Sequence, residues 1–328
     1  MSKPPARAPA LRPDGFLVAL FVAVALGLLY PGPGADRGVL HMPTVTGVGI
    51  SLIFFLYGAA LAPRRLAAGT RNWRLHLFTQ LTTFAVFPLL GIVVVMLVRR
   101  LVPLDLLTGF FYLCAQSSTI SSSVALTAVA KGNVPGAVFN ATLSGLLGMF
   151  LTPALAGVMA HTSGHELPLA KAIVDIVTKL LLPFAAGQLS RPVLAAFLER
   201  YRGWVSYVDR GVIVLIVYAA FCQSTQAGVW SAQGAAVIAL VAALTALLLV
   251  TAIGLTVRLA RALGLSREDE IAAVFCGSTK SLANGVSIAR VLFANHAALG
   301  MLVLPLMVYH PLQLIVCTWL ARRYAART

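Results

Sequence analysis

Residues 275–295 read FCGSTKSLANGVSIARVLFAN. Lys280 and a cluster of small polar residues thus interrupt an otherwise apolar segment. Half a chain earlier, residues 113–133 read LCAQSSTISSSVALTAVAKGN. Set side by side without gaps, 162 positions apart, Cys114 meets Cys276, Val124 meets Val286, Val129 meets Val291 and Asn133 meets Asn295. Hydroxyls coincide at Ser117 with Thr279 and at Thr119 with Ser281. Further on, LGMFLTP at 147–153 has a counterpart in LGMLVLP at 299–305. This order of features points to an internal duplication. Both stretches are poor helix formers, because Ser and Asn side chains compete with the backbone for hydrogen bonds and Gly adds an entropic cost. Interruptions are expected near Ser121–Ser123 and near Gly277–Lys280, and interrupted helices at corresponding positions of two halves point to a transporter's substrate site. The plainer reading is that the small residues let helices pack closely; a lysine at that depth weighs against it.

The whole chain supports a membrane setting. Of its 328 residues, 59% are hydrophobic and 11% charged, whereas soluble domains run near 25% charged. A span takes about 20 mostly apolar residues. Ten candidates follow, at 15–31, 46–63, 76–98, 107–130, 133–159, 168–188, 205–226, 232–257, 271–293 and 297–321. Five spans per half is an odd number, so the halves insert with opposite topology. The expected fold is all-α and polytopic, with ten transmembrane helices in two inverted five-helix repeats. The expected divisions are a disordered N-terminus (1–14), a first repeat (15–160), a second repeat (165–321) and a basic tail (322–328).

The net charge of +15 is read as cytoplasmic loops enriched in Lys and Arg, not as a nucleic-acid surface. With the N-terminus inside, inner segments collect Lys3, Arg7, Arg12, Arg64, Arg65, Arg71, Arg74 and Lys131, then the arginines of 191–202, 258–267 and 322–327. The outer ends hold Arg37, Arg99, Arg100 and Lys171. Both termini are expected in the cytoplasm, in a bacterial inner membrane. Four cysteines lie in apolar segments without CxxC spacing, so neither a disulfide framework nor a zinc site is indicated. An intramembrane enzyme is disfavoured, since there is no HExxH and no paired intramembrane aspartates.

The stretches FFLYGAAL, NWRLHLFTQLTTFAVFPLLG, SSSVALTAVAKGNVPGAVFNATLSGLLG, FCGSTKSLANGVSIARVLF and LPLMVYHPLQLIVCTWLARRYA resemble the bile acid:sodium symporter superfamily. They look closest to its YfeH-like branch, which includes solute carrier family 10 member 7. The resemblance implies ten helices, with helices 4 and 9 broken and crossing. It implies a panel domain from helices 1, 2, 6 and 7 and a core domain from helices 3–5 and 8–10. It also exposes departures. Sodium-coupled members carry a glutamate at the ninth-helix break before a glycine, where this chain has Phe275 and Cys276 ahead of Gly277. Their third-helix glutamine, five residues before a proline, is here Thr83 before Pro88, with Gln80 nearby. Their fourth-helix asparagine becomes Ser123 or Val124.

The candidate substrate and ion site comprises Thr83, Gln116, Ser121, Ser122, Ser123, Asn140, Gly277, Ser278, Thr279, Lys280, Ser281 and Asn284. Lys280 could take a coupling cation's place and hold unwound carbonyls, pair with an anionic substrate, or release a proton. Half-helix N-termini would favour an anion. The coupling ion stays open between sodium, on Ser, Thr and backbone oxygens, and a proton; no other cofactor is expected. Asp175 and Lys179 are four apart and read as a neutralising pair. Asp209 and Arg210 read as interfacial, His310 as bonding a carbonyl freed at Pro311, and Arg290 as reaching the outer interface by snorkelling. The function expected is secondary transport of a small organic anion by alternating access. A channel or non-transporting regulator of ion homeostasis is the alternative. Oligomeric state is not readable.

Overall fold

The computed structural model describes residues 15–36, 38–61, 72–162, 174–228, 230, 235–293 and 296–326. Among them every regular element is a helix. The first half holds α1 (Gly15–Leu29), α2 (Met42–Ala60), α3 (Trp73–Val98), α4 (Leu104–Cys114), α5 (Ile120–Val129) and α6 (Val134–Thr162). The second holds α7 (Val174–Arg200), α8 (Arg202–Gln226), α9 (Ala235–Ala262), α10 (Arg267–Ser278), α11 (Leu282–Leu292) and α12 (Leu299–Ala326).

Seven described helices, α2, α3, α6 to α9 and α12, are long and apolar enough to cross a membrane. The expected spans 107–130 and 271–293 are each two helices, α4 with α5 and α10 with α11. An 11-residue helix such as α4 rises only about 16 Å, half a bilayer core of about 30 Å. The first interruption lies at residues 115–119, not at Ser121–Ser123, which form the first turns of α5. Serine suits a helix N-terminus because its hydroxyl can serve free N–H groups. The second interruption lies at residues 279–281. The N-terminal segment 1–14, Arg37, Arg64, Arg65, Arg71, Lys171, Asn295 and the last two residues lie outside the described residues.

Helices pack most extensively in two groups. One contains α1, α2, α7 and α8; the other contains α3 to α6 and α9 to α12, and α8 joins them by packing on α11 and α12. The closest approach in the first group is between α2 and α7. A Cβ on Gly58 would lie 2.0 Å from the Phe184 carbonyl oxygen, and one on Gly187 would lie 2.0 Å from that of Phe55. Backbones touch here, as small residues allow in membranes. Gly58→Ala and Gly187→Ala are each expected to push the helices apart and lower the unfolding midpoint in detergent. Gly47→Ala, on the same helix but with open space around it, is expected to raise the midpoint, by about 1 kcal/mol of helix propensity. Equal effects at all three positions would refute this.

Candidate functional site

Two chain breaks meet at the centre of the second group, and most of the peptide groups there have a partner. A break inside an apolar bundle survives only when its polar atoms are satisfied. Beyond α4, the Ala115 carbonyl accepts from the Thr152 hydroxyl at 2.7 Å, and the Ser117 carbonyl accepts from the Ser281 N–H at 2.9 Å. The Ser118 N–H donates to the Ser144 hydroxyl at 2.9 Å. Beyond α10, the Tyr309 hydroxyl donates to the Ser278 carbonyl at 2.7 Å. Gln313 clamps Lys280 on both sides, accepting from its N–H at 2.7 Å and donating to its carbonyl at 2.9 Å. The hydroxyls of Ser118, Ser123 and Thr279 cluster within 3.0–3.2 Å of one another, and Asn284 donates to the Ser117 hydroxyl at 3.1 Å.

Three further carbonyls converge on Lys280, whose side chain is fully buried. Its Nζ donates to the carbonyls of Gln116 at 2.8 Å, Cys114 at 3.1 Å and Thr83 at 3.1 Å. The Phe87 ring lies 4.0 Å from Nζ, a cation–π contact. Cys114 ends α4 and Gln116 lies two residues beyond it; at such a helix end carbonyls lack helical partners and carry the negative end of the dipole. Thr83 is freed differently. Residues Thr82–Val86 form a π-helical turn in which the Phe87 N–H reaches the Thr82 carbonyl. The next bond in that register would come from residue 88, a proline without an N–H. Pro88 thus leaves the Thr83 carbonyl for the ammonium.

Gln313→Leu would strip Lys280 of two backbone partners, at about 1–3 kcal/mol for each buried group left unpaired. The Gln116 side-chain amide, by contrast, is buried with no hydrogen-bond partner among the described residues. Gln313→Leu is therefore expected to lower the unfolding midpoint well below that of Gln116→Leu. The same drop for both would show that the clamp contributes little.

Beside the crossing lies a cavity of about 440 Å³. Its crossing-side wall includes Ser118–Ser122 and Ser281–Asn284, the starts of α5 and α11. Its other walls include Phe16 of α1, Tyr57 of α2, Phe184 of α7, Asp209 and Arg210 of α8 and His310 of α12. Of the residues expected at the site, Ser121, Ser122, Ser281 and Asn284 reach this cavity. Thr83, Gln116 and Lys280 meet in the carbonyl cage, and Ser123 and Thr279 in the hydroxyl cluster. Ser278 contributes its carbonyl to Tyr309. Asn140 stands apart, accepting from the Gln80 amide through its side-chain and backbone oxygens. Gly277 packs against Thr82 of α3.

Two readings need correction, that of Asp209 with Arg210 and that of Arg290. Asp209 and Arg210 line the cavity, Asp209 accepting from the Tyr57 hydroxyl at 2.9 Å and Arg210 standing over the Phe16 ring at 5.6 Å. Hydropathy along α8 cannot tell a membrane-surface charge from a cavity-wall charge. His310 pairs through Nδ1 with the Gln313 amide at 3.0 Å, because Gln313 lies one helical turn on. Arg290 does not snorkel; it is buried and ion-paired with Asp36. Asp175 and Lys179 are paired at 2.9 Å.

A polytopic helical protein whose interrupted helices meet at a buried polar crossing beside a cavity has the architecture of a membrane solute carrier. The model of the SBF-like CPA transporter family (DUF4137) matches residues 14–326, and the chain belongs to that family. Uncharacterized protein PA2026 of Pseudomonas aeruginosa is 44% identical over 97% of this chain and 95% of its own length. Putative symporter YfeH of Escherichia coli strain K12 is 39% identical over 96% of this chain and 94% of its own. Sodium/bile acid cotransporter 7 of Danio rerio is 27% identical over 97% of this chain and 98% of its own. The protein is an integral membrane transporter.

Proposed function

We propose that this chain carries a small organic anion by alternating access, with the Lys280 ammonium as a built-in cation in place of a transported sodium ion. The observation that carries this reading is the cage around Nζ, in which three ammonium protons meet three backbone carbonyls. A neutral amine has only two N–H donors and would leave one buried carbonyl unpaired. The cage therefore favours a fixed charge over one released in each cycle. The name of the Danio rerio relative ties sodium and bile acid to that protein; a permanent cation at the crossing would repel sodium there.

The anion is assigned to the cavity. The first turns of α5 present Ser121 and Ser122 to it, and Thr119 provides no side-chain cap. Free N–H groups and the helix dipole attract negative charge, while Phe16, Leu146, Met149, Phe184 and Ile213 would take an apolar body. Counting α4–α5 and α10–α11 as one crossing each, the reading has ten crossings in two inverted halves. Both termini are assigned to the cytoplasm from loop charge, and the membrane is taken as a bacterial inner one.

The test is uptake of a labelled organic anion, chosen by a thermal-shift screen, into proteoliposomes. Saturable uptake that is unchanged when choline replaces sodium is expected. Non-saturating flux would favour a channel instead.

A further inference from the structure

Arg290 is 6% exposed and lies near the C-terminal end of α11. Its guanidinium holds two separate pieces of the first helical group. Nη2 meets the Asp36 carboxylate in the α1–α2 connection at 3.1 Å, and Nη1 donates to the Gln223 side chain near the end of α8 at 2.9 Å. Two further contacts lie near the same end of α8. The Gly300 N–H at the start of α12 donates to the Ser224 hydroxyl of α8 at 2.8 Å. Trp230, beyond α8, stacks on Phe221 with ring centroids 5.2 Å apart and planes 6° from parallel.

The cavity lies toward the other end. Its walls use the start of α1 at Phe16, the end of α2 at Tyr57–Leu61 and the early part of α8 at Asp209 and Arg210. Along α8, the fourteen residues from Asp209 to Gln223 span about 21 Å. The bundle thus has a cavity toward one end and a polar seal at the other. A buried arginine costs much solvation, and its separate bonds to a carboxylate and an amide offset it only while the partners stay in place. Such a contact strongly favours one arrangement of two bodies over another.

We infer that Arg290 is the gating residue of the face opposite the cavity, and that its bonds to Asp36 and Gln223 must part before substrate can reach that face. The inference rests on the alternating-access reading and names its gate. The seal joins α11, which supplies part of the cavity wall, to α8 and the α1–α2 connection. A movement that opens it also moves the cavity wall, so one event changes both ends.

The test uses the full chain in right-side-out and inside-out membrane vesicles. The reporter is Ser122→Cys on the cavity wall, labelled with a membrane-impermeant maleimide; labelling of the four native cysteines, buried in the fold, is subtracted using protein without the reporter. Arg290→Gln and Asp36→Asn are each expected to raise labelling from the face opposite the cavity about tenfold, the effect of a shift of roughly 1.4 kcal/mol. The exchange Asp36→Arg with Arg290→Asp is expected to bring it back down. Wild-type labelling from the cavity side shows that each variant is folded, and Asp36→Asn, in a connection, guards against a core defect in Arg290→Gln. Opposite-face labelling that is measurable in wild type and unchanged in both variants overturns the gate while leaving alternating access intact. No opposite-face labelling in any protein overturns both.

Discussion

Lys280→Ala is expected to turn a sodium-indifferent protein into a sodium-responsive one. The substitution removes the donor from three buried carbonyls, those of Thr83, Cys114 and Gln116. At about 1–3 kcal/mol for each unpaired group, partly offset by entering water, the loss is of order 3 kcal/mol. The vacated space is bounded by carbonyl oxygens, the groups that replace an ion's hydration shell in selectivity filters. In wild type a sodium ion about 4 Å from the ammonium would meet a repulsion of about 4 kcal/mol at an effective dielectric of 20. The measurement is thermal unfolding of purified wild type and variant in sodium chloride and in choline chloride at equal ionic strength. Wild type should unfold at the same temperature in both. Lys280→Ala should unfold lower in choline and recover saturably as sodium is added, and it should lose anion uptake. Lys280→Arg should not rescue uptake, because a planar guanidinium does not fit a fully buried cage built around a compact ammonium. Saturable sodium stabilisation of wild type that persists in Lys280→Ala would defeat the idea. It would place sodium on other oxygens and restore an ordinary symport mechanism.

The Lys280 cage was half legible in the sequence. The paired stretches at 113–133 and 275–295 marked where helices lose their formers, and a lysine among them needed a buried partner. What the pattern could not reveal is which atoms answer it, because all three acceptors are backbone carbonyls. One depends on a π-turn whose next donor is Pro88. Composition also misplaced the first break, since serines that look like helix breakers are equally suited to a helix start. Asp209, Arg210 and Arg290 were misread for one shared reason. Position along a helix gives depth, but whether a charge meets lipid headgroups, a cavity or a partner depends on helices distant in sequence. Asp36 and Arg290 are 254 residues apart.

Ser122→Asp should separate stability from transport, and in opposite directions. Ser122 is the third residue of α5, which begins at Ile120 without a side-chain cap from Thr119. An acidic side chain in the first turn of a helix is favourable by about 0.3–1 kcal/mol, because it meets the free N–H groups and the positive end of the dipole. The same residue lines the cavity. A carboxylate fixed there would sit where the proposed substrate's anionic group binds, satisfying its donors and repelling it. The unfolding midpoint should therefore hold or rise while anion uptake falls to background, and Ser122→Ala, which adds no charge, should keep most of the uptake. An effect of Ser122→Asp on stability alone would point to a substrate that does not place negative charge at this helix end. Loss of both stability and uptake would mean that the first turns of α5 are not free to receive an anion at all. With uptake lost and stability kept, the α5 N-terminus is the anion's seat, and Lys280, held by the carbonyls of Thr83, Cys114 and Gln116, serves the fold of the crossing rather than direct contact with the solute.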